Sequence, residues 1–192
     1  MRRFATLLAC MFLLVAGLAA LAYATQIAYK SPQQLGDGSP AVVRGRVQSV
    51  ESYWNQKHTK IFTRTRIAVD ETYKGSASPM LDIVQLGGIV GNVKVTVQGA
   101  LRWAVGEEVL IFLEPYDASS FQVSGFSQGK FRIERDPVTG IAYVEAPPLE
   151  GVSLVGAPSP KAPARASLRQ RVTLDEFVGQ ALDRQAEPGV ER

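Results

Sequence analysis

Hydrophobic and polar residues alternate through residues 61–73, where the odd positions carry mostly apolar or small side chains and the even positions mostly polar ones. This period of two predicts a strand with one buried and one wet face. Residues 41–54 alternate less regularly, because Val43 and Val47 share one parity while Val50 and Trp54 share the other. Such a change of phase predicts a β-bulge near Gln48 and Ser49. Together the two stretches predict a long hairpin with a wet, aromatic-bearing loop.

Further strands are predicted after the hairpin. The run 109–113 is apolar at every position, which indicates a strand buried on both faces. The remaining predicted strands are 80–86, 93–97, 121–126, 130–135 and 141–144, with a glycine-rich turn at 87–92. About seven strands and no long helix before the tail predict an all-β barrel or sandwich. The long, bent first strand favours a small closed or partly open OB-like β-barrel spanning residues 41–146.

The segments around the predicted barrel differ in character. Residues 25–40 form a lead-in segment, where Ser31 and Pro32 predict one short helical turn. Residues 147–172 are rich in proline and predict a linker. Thr173 and Glu176 are spaced as a capping box before an apolar stripe of period 3.6, so residues 173–185 predict a C-terminal amphipathic helix. It is expected to dock on the barrel or on a partner, and residues 186–192 form a tail.

The first 24 residues have the pattern of a signal peptide. Arg2 and Arg3 precede an apolar run, and Ala22-Tyr23-Ala24 matches an A-x-A cleavage site. The alternatives are a membrane anchor and lipidation at Cys10, but the apolar run barely reaches a spanning length. Cleavage is expected to release a mature chain that begins at Thr25, has no stable membrane anchor and no cysteine, and resides in the periplasm or medium.

Charge adds little to this picture. The formal net charge of +3 falls to +1 when Arg2 and Arg3 leave, and residues 25–150 contain 13 basic and 13 acidic residues. Global charge therefore gives no argument for a nucleic-acid or membrane partner.

Several stretches resemble one family of exported bacterial domains. These are VVRGRV at residues 42–47, ETYKG at 71–75, QLGG at 85–88, GEEVLIFLE at 106–114 and GFSQGKFRI at 125–133. They are similar to OB-like barrels of the netrin and tissue-inhibitor-of-metalloproteinases type, and the resemblance implies that fold over roughly residues 42–134. Inhibitors of this type reach the protease zinc through an N-terminal cysteine. The expected N-terminus here is Thr25, so the resemblance assigns no inhibitory residue.

Catalytic, cofactor-binding and metal-binding residues are not predicted. His58 is the single histidine, and an exposed loop position is the expected place for it. Adjacent carboxylates such as Glu107 and Glu108 point to opposite faces of a strand, and this pair is interpreted as turn residues. The glycines of 87–91 lack the lysine of a phosphate-binding loop. An enzyme would need distant carboxylates to converge, with Asp70, Asp82 and Glu114 as candidates.

A binding surface is the more informative prediction. We expect Arg44 and Arg46 of the first strand to lie near Arg64 and Arg66 of the second, and the intervening loop to carry aromatic and basic groups. OB-like barrels often bind through such a strand face and this loop. The candidate surface is Arg44, Arg46, Arg64, Arg66, Tyr53, Trp54, Lys57, His58 and Lys60.

Three functions remain open at this point. The first is a non-enzymatic exported binding module that contacts a secreted protease or an envelope component. The second is binding of an anionic polysaccharide or nucleic acid through the arginines, which would be sensitive to salt. The third is an enzyme.

Overall fold

The computed structural model describes residues 25–146, 152–157 and 171–183, and within them the chain is mostly β with two short helices. The expected predominance of β-strands and the expected C-terminal helix are confirmed. The helices are α1 (Pro32–Gly38) and α2 (Leu174–Ala181). The strands are β1 (Thr25–Ala28), β2 (Ala41–Trp54), β3 (Ile61–Lys74), β4 (Met80–Leu86), β5 (Gly88–Val90), β6 (Val93–Val95), β7 (Glu108–Pro115), β8 (Phe121–Val123), β9 (Lys130–Arg135), β10 (Ala142–Glu145), β11 (Val152–Val155) and β12 (Val172–Thr173).

Eight of these strands form one sheet in the order β12-β10-β9-β7-β2-β3-β4-β8. Strand β8 also pairs with β7, so β7, β2, β3, β4 and β8 follow one another around a partly closed ring. The closing contact is narrow, because β4 and β8 meet in parallel at Ile83 and Phe121 alone. The sheet therefore curls onto itself and leaves a weak seam beside β8.

The β2–β3 hairpin follows the predicted alternation. Ile61, Thr63, Thr65 and Ile67 are buried, whereas Arg64 and Arg66 between them are exposed. The predicted bulge is also confirmed, since the register slips between Val47 and Ser49. Two further slips, between 42 and 43 and between 44 and 45, increase the bend of β2.

Two hydrophobic cores lie on the two faces of β7. Leu110 and Phe112 belong to the core that also contains α2, while Val109, Ile111 and Leu113 belong to the core inside the ring. All five side chains have no solvent exposure. The prediction that this run is buried on both faces is therefore confirmed, and β7 lies between the two cores.

Both helices begin at the predicted caps. Ser31 caps α1 through a capping box with Gln34, and the Thr173 side chain accepts a hydrogen bond from the Glu176 backbone N–H at the start of α2. The expected apolar stripe of α2 is buried in the first core, and its residues are Leu174, Phe177, Val178 and Ala181. The C-terminal helix thus docks on the sheet of its own chain.

Some local predictions were wrong. Residues 25–28 and 152–155, expected to be lead-in and linker, pair with each other as the parallel strands β1 and β11. The glycine-rich turn includes β5, because Gly88 and Ile89 pair with β6. Helix α1 extends two residues beyond Gly36, and α2 ends at Ala181.

The signal-peptide prediction, most of the linker and the tail lie outside the described residues. Within the described ranges, no helix is both long and apolar enough to cross a bilayer.

Candidate functional site

The four arginines of the predicted surface form a row along the outer face of the β2–β3 hairpin, which we call the arginine face. Arg44 lies opposite Glu71, and Arg64 lies opposite Glu51, so these two arginines are at opposite ends of the row. Arg46 and Arg66 are diagonal neighbours near the bulge, opposite Ala68 and Ser49 respectively. Arg46 and Arg66 lie close together as expected, whereas Arg44 and Arg64 do not, because Arg44 is paired near the open end of the hairpin and Arg64 near its turn.

Each arginine of this face has an acidic partner. Arg44 lies 3.3 Å from Glu71 and 3.5 Å from Glu108, and Arg46 lies 3.7 Å from Glu108. Arg64 and Arg66 share Asp82 at 3.5 and 3.0 Å. Surface pairs of this kind add little stability, but they neutralise the field that an anionic polymer would feel.

Glu108 is the most heavily engaged of these acids. Its side chain is 10% exposed, and besides Arg44 and Arg46 it accepts two hydrogen bonds from Arg135, at 2.6 and 3.1 Å. The Arg135 hydrogen bond is the main cause that lowers the pKa of Glu108, and the nearby arginines act in the same direction. Glu108 is the first residue of β7, so its interpretation as a turn residue was wrong.

Glu107 is committed to a second ion pair. Its carboxylate accepts hydrogen bonds of 2.8 and 2.9 Å from the Nζ of Lys130, whose side chain is 3% exposed. The same Nζ donates to the Arg102 carbonyl at 2.7 Å and lies 4.7 Å from the Trp103 ring centroid. Burial lowers the pKa of Lys130, and the bond to Glu107 opposes that shift. This buried pair is fully engaged by protein groups.

The other five predicted residues lie at the end of the hairpin, residues 53–60, which we call the hairpin end. Asn55 closes its turn: the side-chain carbonyl accepts hydrogen bonds from the backbone N–H groups of Thr59 and Lys60, at 2.8 and 3.0 Å. His58 occupies the left-handed region at φ 52° and is exposed, as predicted. The turn is therefore held by its own hydrogen bonds.

Aromatic rings line both faces of the hairpin end. Trp54 stacks on His58 with ring centroids 6.1 Å apart, and Tyr53 stacks on Phe62 at 6.2 Å on the other face. Lys57 and Lys60 are exposed and have no acidic partner among the described residues. The unpaired basic charge predicted for this surface is thus concentrated beside rings at the hairpin end.

Sequence reasoning missed an open cavity of about 360 Å³ beside this end of the sheet. Phe62 and Tyr116 form one wall, and their rings meet edge to face at 6.4 Å. Of the three carboxylates considered for an enzyme, Glu114 is the one that lines the cavity, while Asp82 is held by arginines. The cavity joins residues from separate strands and loops, so no local motif announces it.

Groups of three or more histidine, cysteine, aspartate or glutamate side chains placed to hold a metal ion do not occur in the described part of the chain. A comparison with protein-family profiles finds no match to this chain. A comparison with curated proteins finds none either.

Proposed function

We propose that this chain is an exported, non-enzymatic binding module that contacts a partner protein through the hairpin end. The observation that carries the proposal is that the basic side chains fall into two groups, one paired with acids and one not. The arginine face is matched by acids, whereas Lys57 and Lys60 are unmatched among the described residues and lie beside stacked rings. Aromatic and unpaired basic side chains at an exposed turn favour contact with an acidic protein surface.

The proposal includes a small OB-like barrel. The partly closed ring of β7, β2, β3, β4 and β8 supports this class, as does the bulged, strongly bent first strand of the ring. Barrels of this class often bind through the loop that joins their first two strands, which here is the turn of the hairpin end.

Export is the second part of the proposal and is supported by the sequence of residues 1–24, with its basic start, apolar run and A-x-A site. A secreted protease or an envelope component is the proposed class of partner, because such proteins share the compartment.

An anionic polymer is the weaker alternative. Binding to a polyanion needs several basic groups free to replace counterions. Asp82, Glu71 and Glu108 engage the arginines that this alternative requires.

The test is capture of partners from periplasm and medium by the mature chain at physiological salt. We expect one protein to be captured, and Lys57→Glu combined with Lys60→Glu to lower its capture about tenfold. Arg46→Ala combined with Arg66→Ala is the control, because both arginines lie in the middle of the arginine face and are paired with acids, and it should leave capture unchanged.

Two outcomes would contradict the proposal. Retention on a heparin resin that the arginine variant loses and the lysine variant keeps would favour the polyanion alternative. Substrate turnover by the purified mature chain would overturn the non-enzymatic assignment.

A further inference from the structure

The residues that line the cavity beside the hairpin end favour a positively charged ligand over a negatively charged one. Its lining includes one carboxylate, Glu114, and no lysine or arginine. Most of the remaining lining is apolar or aromatic.

Glu114 differs from the engaged acids described above. Its Oε1 accepts a hydrogen bond of 3.2 Å from the side-chain amide of Gln122, its cross-strand neighbour. No cationic side chain of the described residues lies within ion-pair distance of it. A carboxylate at the wall of an apolar cavity gains from a cationic partner, because the low local dielectric strengthens the attraction.

Ser127 is a second polar group without a partner in this cavity. The residue lines the cavity, and its hydroxyl oxygen is shielded from solvent and has no hydrogen-bond partner among the described residues.

Phe126 is held in a strained position at the same cavity. Its backbone has φ 67°, which is costly for a bulky residue, and 47% of the residue is exposed. Its ring packs so closely over Gly99 that a Cβ there would lie 2.8 Å from a ring carbon. Strain of this kind is concentrated at ligand clamps. Phe126 therefore adds a third aromatic ring to those of Phe62 and Tyr116.

We propose that this cavity binds an organic cation, meaning an ammonium or guanidinium group carried on an apolar stem. Glu114 pairs with the charge of the ligand. The three aromatic rings contact the stem and attract the cation through their π faces. The inference goes beyond the function proposed above, since this site prefers cations whether or not the hairpin end binds a partner.

The test is a titration of the ¹⁵N-labelled mature chain with n-butylammonium at constant ionic strength, followed by amide chemical shifts. For a ligand of this size we expect a Kd of about 1–10 mM. The shifts should cluster at Glu114, Gln122 and Ser127. The neutral analogue 1-butanol should bind at least about fivefold more weakly, because it cannot pair with the carboxylate.

Two variants separate a ligand site from a structural feature. Glu114→Gln should lower n-butylammonium affinity about fivefold or more, whereas Glu134→Gln, at a partly exposed carboxylate outside the cavity, should not change it. Phe126→Gly should weaken binding without lowering the melting temperature, since glycine tolerates the positive φ. A purely structural role for Phe126 would give the opposite result for stability.

The source of the cation is distinguished by a blocked lysine peptide, acetyl-Gly-Lys-Gly-amide. Tighter binding of the peptide than of n-butylammonium assigns the site to a basic side chain of a polypeptide, and the reverse assigns it to a free amine. Equal binding of n-butylammonium and 1-butanol, no shift at the cavity amides, or unchanged affinity in Glu114→Gln would each overturn the proposal. None of these outcomes bears on capture by the hairpin end.

Discussion

At the scale of single residues, the acids differ in how far the fold uses them. Glu108 pairs with three arginines from two strands, Arg44 and Arg46 of β2 and Arg135 of β9, and Glu107 neutralises the buried Lys130. Glu114 accepts a neutral hydrogen bond and keeps its charge unmatched among the described residues. The first two carboxylates therefore stabilise the fold, and the third is left for a ligand.

Glu108 leads to a prediction about pH. Its pKa is lowered in the folded state, so its contribution to stability is complete above about pH 4.5 and is lost as the pH falls through the lowered value. We expect Glu108→Gln to reduce the free energy of unfolding at pH 7 by about 1–2 kcal/mol, because a charged hydrogen-bond acceptor is removed. Urea unfolding of both chains between pH 2 and pH 7 measures the difference.

The difference between the two chains should shrink as the pH falls through the lowered pKa of Glu108, because the protonated carboxyl group has lost the charge that glutamine also lacks. Glu134→Gln is the control, since that carboxylate is 37% exposed and its arginines lie 3.8 and 3.9 Å away. It should change stability by less than about 0.5 kcal/mol. A Glu108→Gln effect of the same size at pH 2 and pH 7 would contradict the argument.

The sequence predicts which side chains of β3 face inwards, because alternation is a local signal. It does not predict the partners of Glu107 and Glu108. Those partners, Lys130 and Arg135, come from β9, and only the pairing of β7 with β9 brings them near.

At the scale of elements, local rules succeed where an element is long or well capped. The β2–β3 hairpin, its bulge, β4 and both helix starts follow from period, turn chemistry and caps. Strands β1 and β11 were missed, because each has four residues and is paired only with a segment far away in the chain. A short parallel pair has no turn of its own to signal it.

Contact between the two helices depends on a glycine. A Cβ at Gly36 of α1 would overlap the carbonyl oxygen of Ala181 in α2. We expect Gly36→Ala to lower the free energy of unfolding by about 1–3 kcal/mol, because the helices must separate to admit the methyl group. Thermal and urea unfolding measure the loss.

Gly38 offers a matched control in the same helix, because a Cβ there meets no atom within 4 Å. Gly38→Ala should be neutral or slightly stabilising, since it reduces the freedom of the unfolded chain. Equal losses from the two substitutions would show that helix contact is not the cause.

At the scale of the whole molecule, the strands of the ring differ in how extensively they are paired: β7 is paired with three strands, and β8 is held by a few residue pairs. Strand β7 pairs with β2, β8 and β9 and separates two cores, whereas β8 has three residues and meets β4 at one position. Stability should therefore be distributed unevenly around the ring.

Native-state hydrogen exchange can measure this distribution. We expect the amides of Val109–Leu113 to exchange near the rate set by global unfolding. The paired amides of Phe121–Val123 should exchange at least roughly tenfold faster, which corresponds to about 1.4 kcal/mol. The exchange rates of the β7 amides serve as the internal reference in the same sample. Equal protection of β8 and β7 would mean that the seam is as strong as the rest of the ring.

The candidate sites show the same limit on sequence reasoning at this scale. The hairpin end was predictable because one turn holds its residues together. The cavity was not, because Phe62, Glu114 and Phe126 meet only when the ring curls. The arginine face lies between these cases: its residues were correctly placed on the outer face, but the acids that neutralise them, such as Asp82 and Glu108, come from other strands.

The positions of Trp54 and Trp103 have a practical consequence. They are the two tryptophans of the chain; one stacks on a histidine at an exposed turn, and the other lies under the ammonium group of a buried lysine against the inner core. Replacing either with phenylalanine would leave a single tryptophan, which can be excited at wavelengths that tyrosine does not absorb. The chain that keeps Trp54 would report binding of a partner at the hairpin end by a change in its emission. The chain that keeps Trp103 would report unfolding of the inner core, and neither needs an added dye.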